Sequence, residues 1–341
     1  MSRRSPAARR FAVLLSTGLA LVGATTSSAV ASAAPAPATS GFTLVGGGEQ
    51  VPLLATAGDG TATFVDDAVA SRPSTTAAAT ATATATATAK ITVTYHGFPA
   101  PAKAAFQRAV NMWQQNVASS VPITIDATWK ALGTGVLGSA GTNKIWQQES
   151  TKTYFVDALA NKISKSQMDP SPDIIANFNS SFSNWYFGTG KAPVGTYDFE
   201  SVVAHEIGHG LGFLGAGNVA NGKGSVTYNG GFAFGYAKYA ENAAGKKLVS
   251  YTPQPSAAVA AQLTGGKLFF DSPAVRNANG GKPAKLYAPS SWQPGSSFSH
   301  LDEATFRKGN VNSLMTPQLA DGETIRTPGK ITKAVFATIG W

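Results

Sequence analysis

The chain has 341 residues, 43% of them apolar and 13% charged, no cysteine, and a formal net charge of +9. That length accommodates one large domain or two modest ones, and the missing thiols exclude disulfides, thiolate metal sites and a cysteine nucleophile. Four of the basic residues, Arg3, Arg4, Arg9 and Arg10, crowd the first ten positions; the remainder, 23 basic against 18 acidic, are scattered, so no nucleic-acid partner is expected.

Those arginines form a cationic start, followed by a largely apolar run from Phe11 to Val22 and the small-residue stretch "AVASAAPAP". Residues 1–33 therefore read as an export signal cleaved after Ala31-Ser32-Ala33, with Ala29-Val30-Ala31 as the competing site and Arg9-Arg10 also resembling a twin-arginine signal. The apolar run is shorter than the roughly 20 residues that span a bilayer. No membrane span is expected, and the mature chain should be secreted and extracellular. Residues 34–90 hold short β-like pieces ("FTLVGG", "ATFVDDAV") and then "STTAAATATATATATA", which has no large apolar side chain to bury. Two readings stand for 34–90: a disordered Ala/Thr-rich linker, or a propeptide cleaved near Lys90.

The folded domain is expected over 91–341. "ITVTYHGF" alternates like a strand, and the next segment puts Phe106, Val110, Trp113 and Val117 on one helical face. "PITIDATWKAL" reads as a second strand and "SPDIIANFNSSF", 171–182, as a third, whose polar residues and nearby proline suit a sheet edge. This order describes an α/β or α+β domain with a mixed sheet.

The stretch "DFESVVAHEIGHGLG" carries the chemistry. Asp198 is the expected N-cap, with Glu200 in the positively polarised first turn. Residues four apart share a helix face, so His205 and His209 can bind one ion while Glu206 stands beside it as a general base. Two neutral imidazoles plus one more ligand leave an open position, which suits Zn2+. With 4 His in 341 residues, a shuffled chain would hold His-Glu-x-x-His roughly seven times in ten thousand. Gly208, Gly210 and Gly212 each cost up to about 1 kcal/mol against alanine in a helix, so close backbone approach beneath a site, and a sharp exit at Gly212, are expected.

The third ligand is not adjacent, since Gly215 holds the nearest slot. His96, before a proline turn, reads as a surface residue. His300, in "GSSFSHLDEATF", is the stronger choice, followed by "NSLMTP" with Met315 in a turn closed by Pro317. Asp302 and Glu303 could orient the His300 ring or be surface acids.

"HEIGHGLGF", the long insertion, "GSSFSH", "SLMTP" and the closing "PGKITKAVFATIGW" resemble the metzincin clan of zinc endopeptidases, and within it leishmanolysin and its bacterial relatives. The resemblance implies an α+β metzincin-like zincin domain with a mixed twisted sheet, an active-site helix, an inserted lobe at 216–297, and a C-terminal helix. It implies His205, His209 and His300 as zinc ligands, Glu206 as general base and Met315 as the turn methionine. Protein or peptide substrates would align on an edge strand, for which "IIANFNSS" is the candidate. The lobe's Phe232, Phe234, Tyr236 and Phe269 read as core, and "NANGGKPAKLYAPSSW" as loop. Unlike leishmanolysin, this chain has no disulfides and no propeptide cysteine. The alternatives are a gluzincin-like peptidase with a carboxylate third ligand (Asp271, Asp302 or Glu303) and a non-catalytic, zinc-stabilised extracellular binding module.

Overall fold

The computed structural model describes residues 41–47, 56–57, 88–133 and 135–341. The expected export segment and most of the Ala/Thr-rich run lie outside the described residues. Among the described residues of the 34–90 stretch lie the strands β1 (Phe42–Gly47) and β2 (Thr56–Ala57). Tight packing then begins slightly before Ile91: Ala89 is buried and its N–H donates to Val117 O at 3.1 Å.

β3 (Ile91–His96) leads into α1 (Ala100–Gln114), whose proline in the first turn has no N–H to leave unpaired. Ala102, Ala105, Phe106, Ala109, Val110 and Trp113 form its buried stripe, at the spacing of one helix face, and Val117 is buried just beyond its end. β4 (Ile123–Lys130), β5 (Gly138–Thr142), β6 (Lys144–Gln148) and β7 (Thr153–Val156) precede α2 (Asp157–Ser164) and β8 (Ile174–Asn179). The main sheet has the order β3-β4-β8-β5, with β3, β4 and β8 parallel and β5 antiparallel.

The edge assignment of 171–182 is thereby corrected. β8 is interior, and the edge belongs to β5, whose "GSAGT" carries too few β-branched residues to announce a strand. The polar residues that suggested an edge are satisfied inside: Asn179 Nδ2 donates to Val136 O at 2.7 Å, and Asp173 accepts from the Thr124 N–H at 2.6 Å.

After the short parallel pair β9 (Trp185–Tyr186) and β10 (Tyr197–Asp198) comes α3 (Phe199–Gly210). Phe178 of β8 meets Phe106 of α1 at 5.5 Å and Phe199 of α3 at 5.3 Å, so both helices cover one face of the sheet. Beyond α3 lie the hairpin β11 (Asn218–Ala220) and β12 (Lys223–Ser225), then β13 (Ala233–Phe234), which joins a second sheet of order β1-β6-β7-β13. β14 (Ala240–Asn242), α4 (Ala257–Leu263), β15 (Leu268–Phe270), α5 (Pro273–Ala278) and β16 (Ala284–Leu286) follow, the strands forming an antiparallel sheet in that order. The stretch read as loop thus contains β16. Of the lobe aromatics, Phe234 and Tyr236 are buried, while Phe232 and Phe269 are half-buried. α6 (Glu303–Phe306), β17 (Gln318–Leu319) and α7 (Gly329–Ile339) complete a mixed α+β fold. Trp113 ties α1 to both α3 and α7: its Nε1 donates to Ala204 O at 2.8 Å, and its ring meets Phe336 edge-on at 5.1 Å.

Candidate metal centre

α3 is positioned from its N-terminus. Asp198 caps it, accepting from the Ser201 N–H at 3.1 Å, as the sequence predicts. Two arginines that sequence reasoning did not single out lock that end. Arg326 donates through Nε and Nη2 to both oxygens of buried Asp198, at 2.9 and 2.6 Å, and Arg108 Nε donates to Glu200 at 2.5 Å. The same guanidiniums hold the carbonyls of Phe187, Gly188 and Thr189.

The glycines of α3 answer to specific neighbours. A Cβ on Gly208 would lie 2.8 Å from Met315 Sδ, and one on Gly210 would lie 2.5 Å from Ile174 Cγ2. The helix ends at Gly210 and the chain turns away at Gly212, whose φ of +111° suits glycine. Gly215, where a compact site would place a ligand, is closed by Phe298: a Cβ there would lie 2.5 Å from that ring.

The third histidine arrives by strand pairing. Phe298 N donates to Tyr287 O, Tyr287 N to His300 O and Asp302 N to Lys285 O, at 2.8 to 3.0 Å, so 298–302 runs along β16; Leu301 N then donates to Met315 O at 2.8 Å. The Nε2 atoms of His205, His209 and His300 lie 2.9, 3.1 and 3.2 Å from one another. His209 and His300 are fully buried, and His205 is 6% exposed.

Each Nδ1 faces a backbone carbonyl: Leu314 O for His205 at 2.6 Å, Phe213 O for His209 at 2.7 Å and Ser296 O for His300 at 2.7 Å. A carbonyl only accepts, so each Nδ1 carries the proton and three Nε2 lone pairs converge on one point. Burial keeps the rings neutral, holding His205 down to about 4, His300 to about 3, and His209 well below its ordinary 6.5. Three neutral lone pairs this close repel unless a cation lies between them. Tetrahedral zinc with N ligands at 2.0–2.1 Å requires about 3.3 Å between nitrogens, so the trio fits that ion to within a few tenths of an ångström.

Glu206 is fully buried with no well-formed hydrogen bond to either oxygen; burial raises its carboxyl well above 4.5, and the nearby backbone of Ala140 on β5 offsets this only in part. A divalent cation alongside would pull it back toward the ionised form. Met315 is completely buried under the helix at Gly208.

Among the described residues, the trio is the one group of three or more potential metal ligands, and no carboxylate joins it. Asp271 pairs with Arg276 at 2.6 Å, and Asp302 caps α6 and pairs with Lys285 at 3.2 Å; the His300 Nδ1 is oriented by the Ser296 carbonyl at 2.7 Å and by neither Asp302 nor Glu303. His96 is exposed and meets Asp126 at 3.0 Å, as its surface reading predicts. No helix among the described residues is long and apolar enough to cross a membrane. No protein-family model matches the chain, and neither does any curated protein.

Proposed function

We propose that this protein is an exported, zinc-dependent endopeptidase of metzincin type acting on protein or peptide substrates. The observation that carries the reading is the convergence of three buried, Nδ1-anchored imidazoles around one point, with Glu206 between two of them in sequence and Met315 packed beneath. Zinc held by His205, His209 and His300 would supply a Lewis acid for a substrate carbonyl and lower the pKa of a water. Glu206 accepts the proton of the attacking water and returns it to the leaving amine. The three backbone carbonyls fix the imidazole tautomers and orientations. An extended substrate adds to the edge of β5, which has no strand partner beyond β8 among the described residues and where Ala140 neighbours Glu206, in place of the strand that the sequence suggested.

The test is Glu206→Gln, assayed on unfolded casein both intact and after nicking in the 74–87 stretch, with zinc content measured alongside. The variant should retain zinc and lose about 10²- to 10⁴-fold in rate; hydrolysis at the parent rate would sink the mechanism. Burial of the whole trio also suits a second reading, a non-catalytic zinc-stabilised extracellular module. That reading requires stoichiometric zinc and no hydrolysis by any form of the parent.

A further inference from the structure

A cavity of about 340 Å³, large enough for a ligand group, opens between Lys191, the 308–313 segment and the 322–325 segment. Two of its lining side chains are lysines that no carboxylate neutralises. Lys191 is exposed and, among the described residues, makes neither an ion pair nor a hydrogen bond. Lys308 is exposed too, and its Nζ donates only to the Asp321 carbonyl. An ammonium has three donors, so two of them remain for a ligand. The acids nearby are turned elsewhere. Glu323, in the cavity wall, is 6% exposed and accepts from Ser313 Oγ at 3.0 Å and the Ala320 N–H at 3.1 Å, while Asp321 accepts from the Gly195 N–H at 2.9 Å.

Apolar surface flanks the lysines. Val311, 68% exposed, lines the cavity, and Val194, 87% exposed, stands on backbone packed against Gly322 of the wall, where a Cβ would lie 3.3 Å from Val194 Cα. A free inorganic anion gains nothing from two exposed valines, whereas a peptide with an apolar residue beside a carboxylate matches both features. The cavity also adjoins the metal centre. Ser313 and Ile325 line it and equally line the space of about 10 Å³ that touches His205. Leu314, next in the chain, gives its carbonyl to His205 Nδ1 at 2.6 Å, and the Ile325 N–H donates to Ser201 Oγ of α3 at 2.8 Å.

We propose that this cavity binds an acidic segment of the protein substrate, with a carboxylate held by Lys191 and Lys308 and its apolar neighbours on Val194 and Val311. That the segment belongs to a substrate rests on the peptidase reading; the charge and shape of the cavity stand without it. Binding energy from a part of the substrate away from the reacting bond acts in the ground state and the transition state alike, so it should appear in KM.

The experiment has a binding arm and a cleavage arm, both with the zinc-loaded full chain. In the first, the Glu206→Gln chain is titrated at low salt with fluorescein-labelled Gly-Val-Asp-Glu-Val-Gly and with its uncharged counterpart Gly-Val-Asn-Gln-Val-Gly. The acidic peptide should bind about tenfold more tightly, and Lys191→Gln with Lys308→Gln should abolish the difference. Both lysines are exposed, and a melting temperature equal to the parent's shows that the double variant is folded. In the second, a peptide library is digested by the parent and by the double variant. Cuts by the parent should be enriched in Asp and Glu within a few residues of the bond, and the double variant should lose that enrichment through a KM about tenfold higher for such peptides. Equal binding of the two labelled peptides overturns the proposal, and so does a preference that survives the double substitution. Preferential binding of the acidic peptide by a chain that cuts nothing in any form overturns the peptidase reading, and the assignment of the segment to a substrate with it.

Discussion

Gly208 and Gly210 occupy helix positions where alanine would gain about 1 kcal/mol from propensity, and the residues opposite decide whether that gain survives. Gly208 faces Met315 Sδ and Cε at 2.8 and 3.1 Å, the far end of a flexible side chain. Gly210 faces the β-branched Ile174 at 2.5 to 2.9 Å, fully buried in an interior strand. Overpacking costs typically about 1–3 kcal/mol. Gly208→Ala should therefore lie within about 1 kcal/mol of the parent in urea denaturation, whereas Gly210→Ala should lose about 1–2 kcal/mol. The reverse order would mean that Met315 is held more rigidly than the sheet. Sequence alone signals that such glycines need a close neighbour; it does not say which one, because Met315 and Ile174 come from segments 107 residues after and 36 residues before them.

Among the elements, the N-terminus of α3 depends on a charge network. Arg326 is the bidentate partner of Asp198, a carboxylate with no exposed surface. Its removal leaves that charge buried with only the Ser201 N–H and hydroxyl. Arg326→Ala should cost about 3–5 kcal/mol in denaturant unfolding, and pairing it with Asp198→Asn should recover a part of that loss; a double variant no more stable than the single one would deny the coupling. Asp198 as a cap was legible, because Asp before an apolar helix has a local purpose. Arg326, 128 residues away, was not.

The start of α2 yields a pH prediction. Asp157 Oδ1 accepts from Trp146 Nε1 at 2.6 Å while its other oxygen is buried without a partner. Burial pushes its carboxyl from 3.8 up to about 7, against the pull of the Trp146 bond. Its folded pKa is raised, so between pH 3.8 and about 7 the native chain holds a proton that the unfolded chain has lost. Stability from this group is therefore present at low pH and lost as pH rises through that window. Asp157→Asn should be neutral near pH 4 and gain on the order of 2 kcal/mol at pH 8. An equal effect at both pH values would remove ionisation as the cause.

At the scale of the whole molecule, a metal held by the trio would join α3 to a segment that returns from far along the chain: the His300 ring lies 91 and 95 positions from its two partners. Metal that binds only the folded chain stabilises it by about 4 kcal/mol at a thousand times its Kd. Chelation should therefore lower the melting temperature reversibly, zinc should restore it in a concentration-dependent way, and His300→Ala should melt like the chelated parent. A full zinc-dependent shift in that variant would place the third ligand elsewhere.

The sequence by itself determined what local physics governs. The period of α1, the cap and histidine spacing of α3 and the exit at Gly212 all depend on neighbours within a few residues. The tertiary structure alone decided that β8 is interior and β5 the edge, that Phe298 fills the space over Gly215, that two arginines lock α3, and that Phe42–Gly47 and Thr56–Ala57 pair with β6 and β17. Each of these is a choice among partners far apart in the chain, and strand order and side-chain volume make that choice; periodicity and capping carry no record of it.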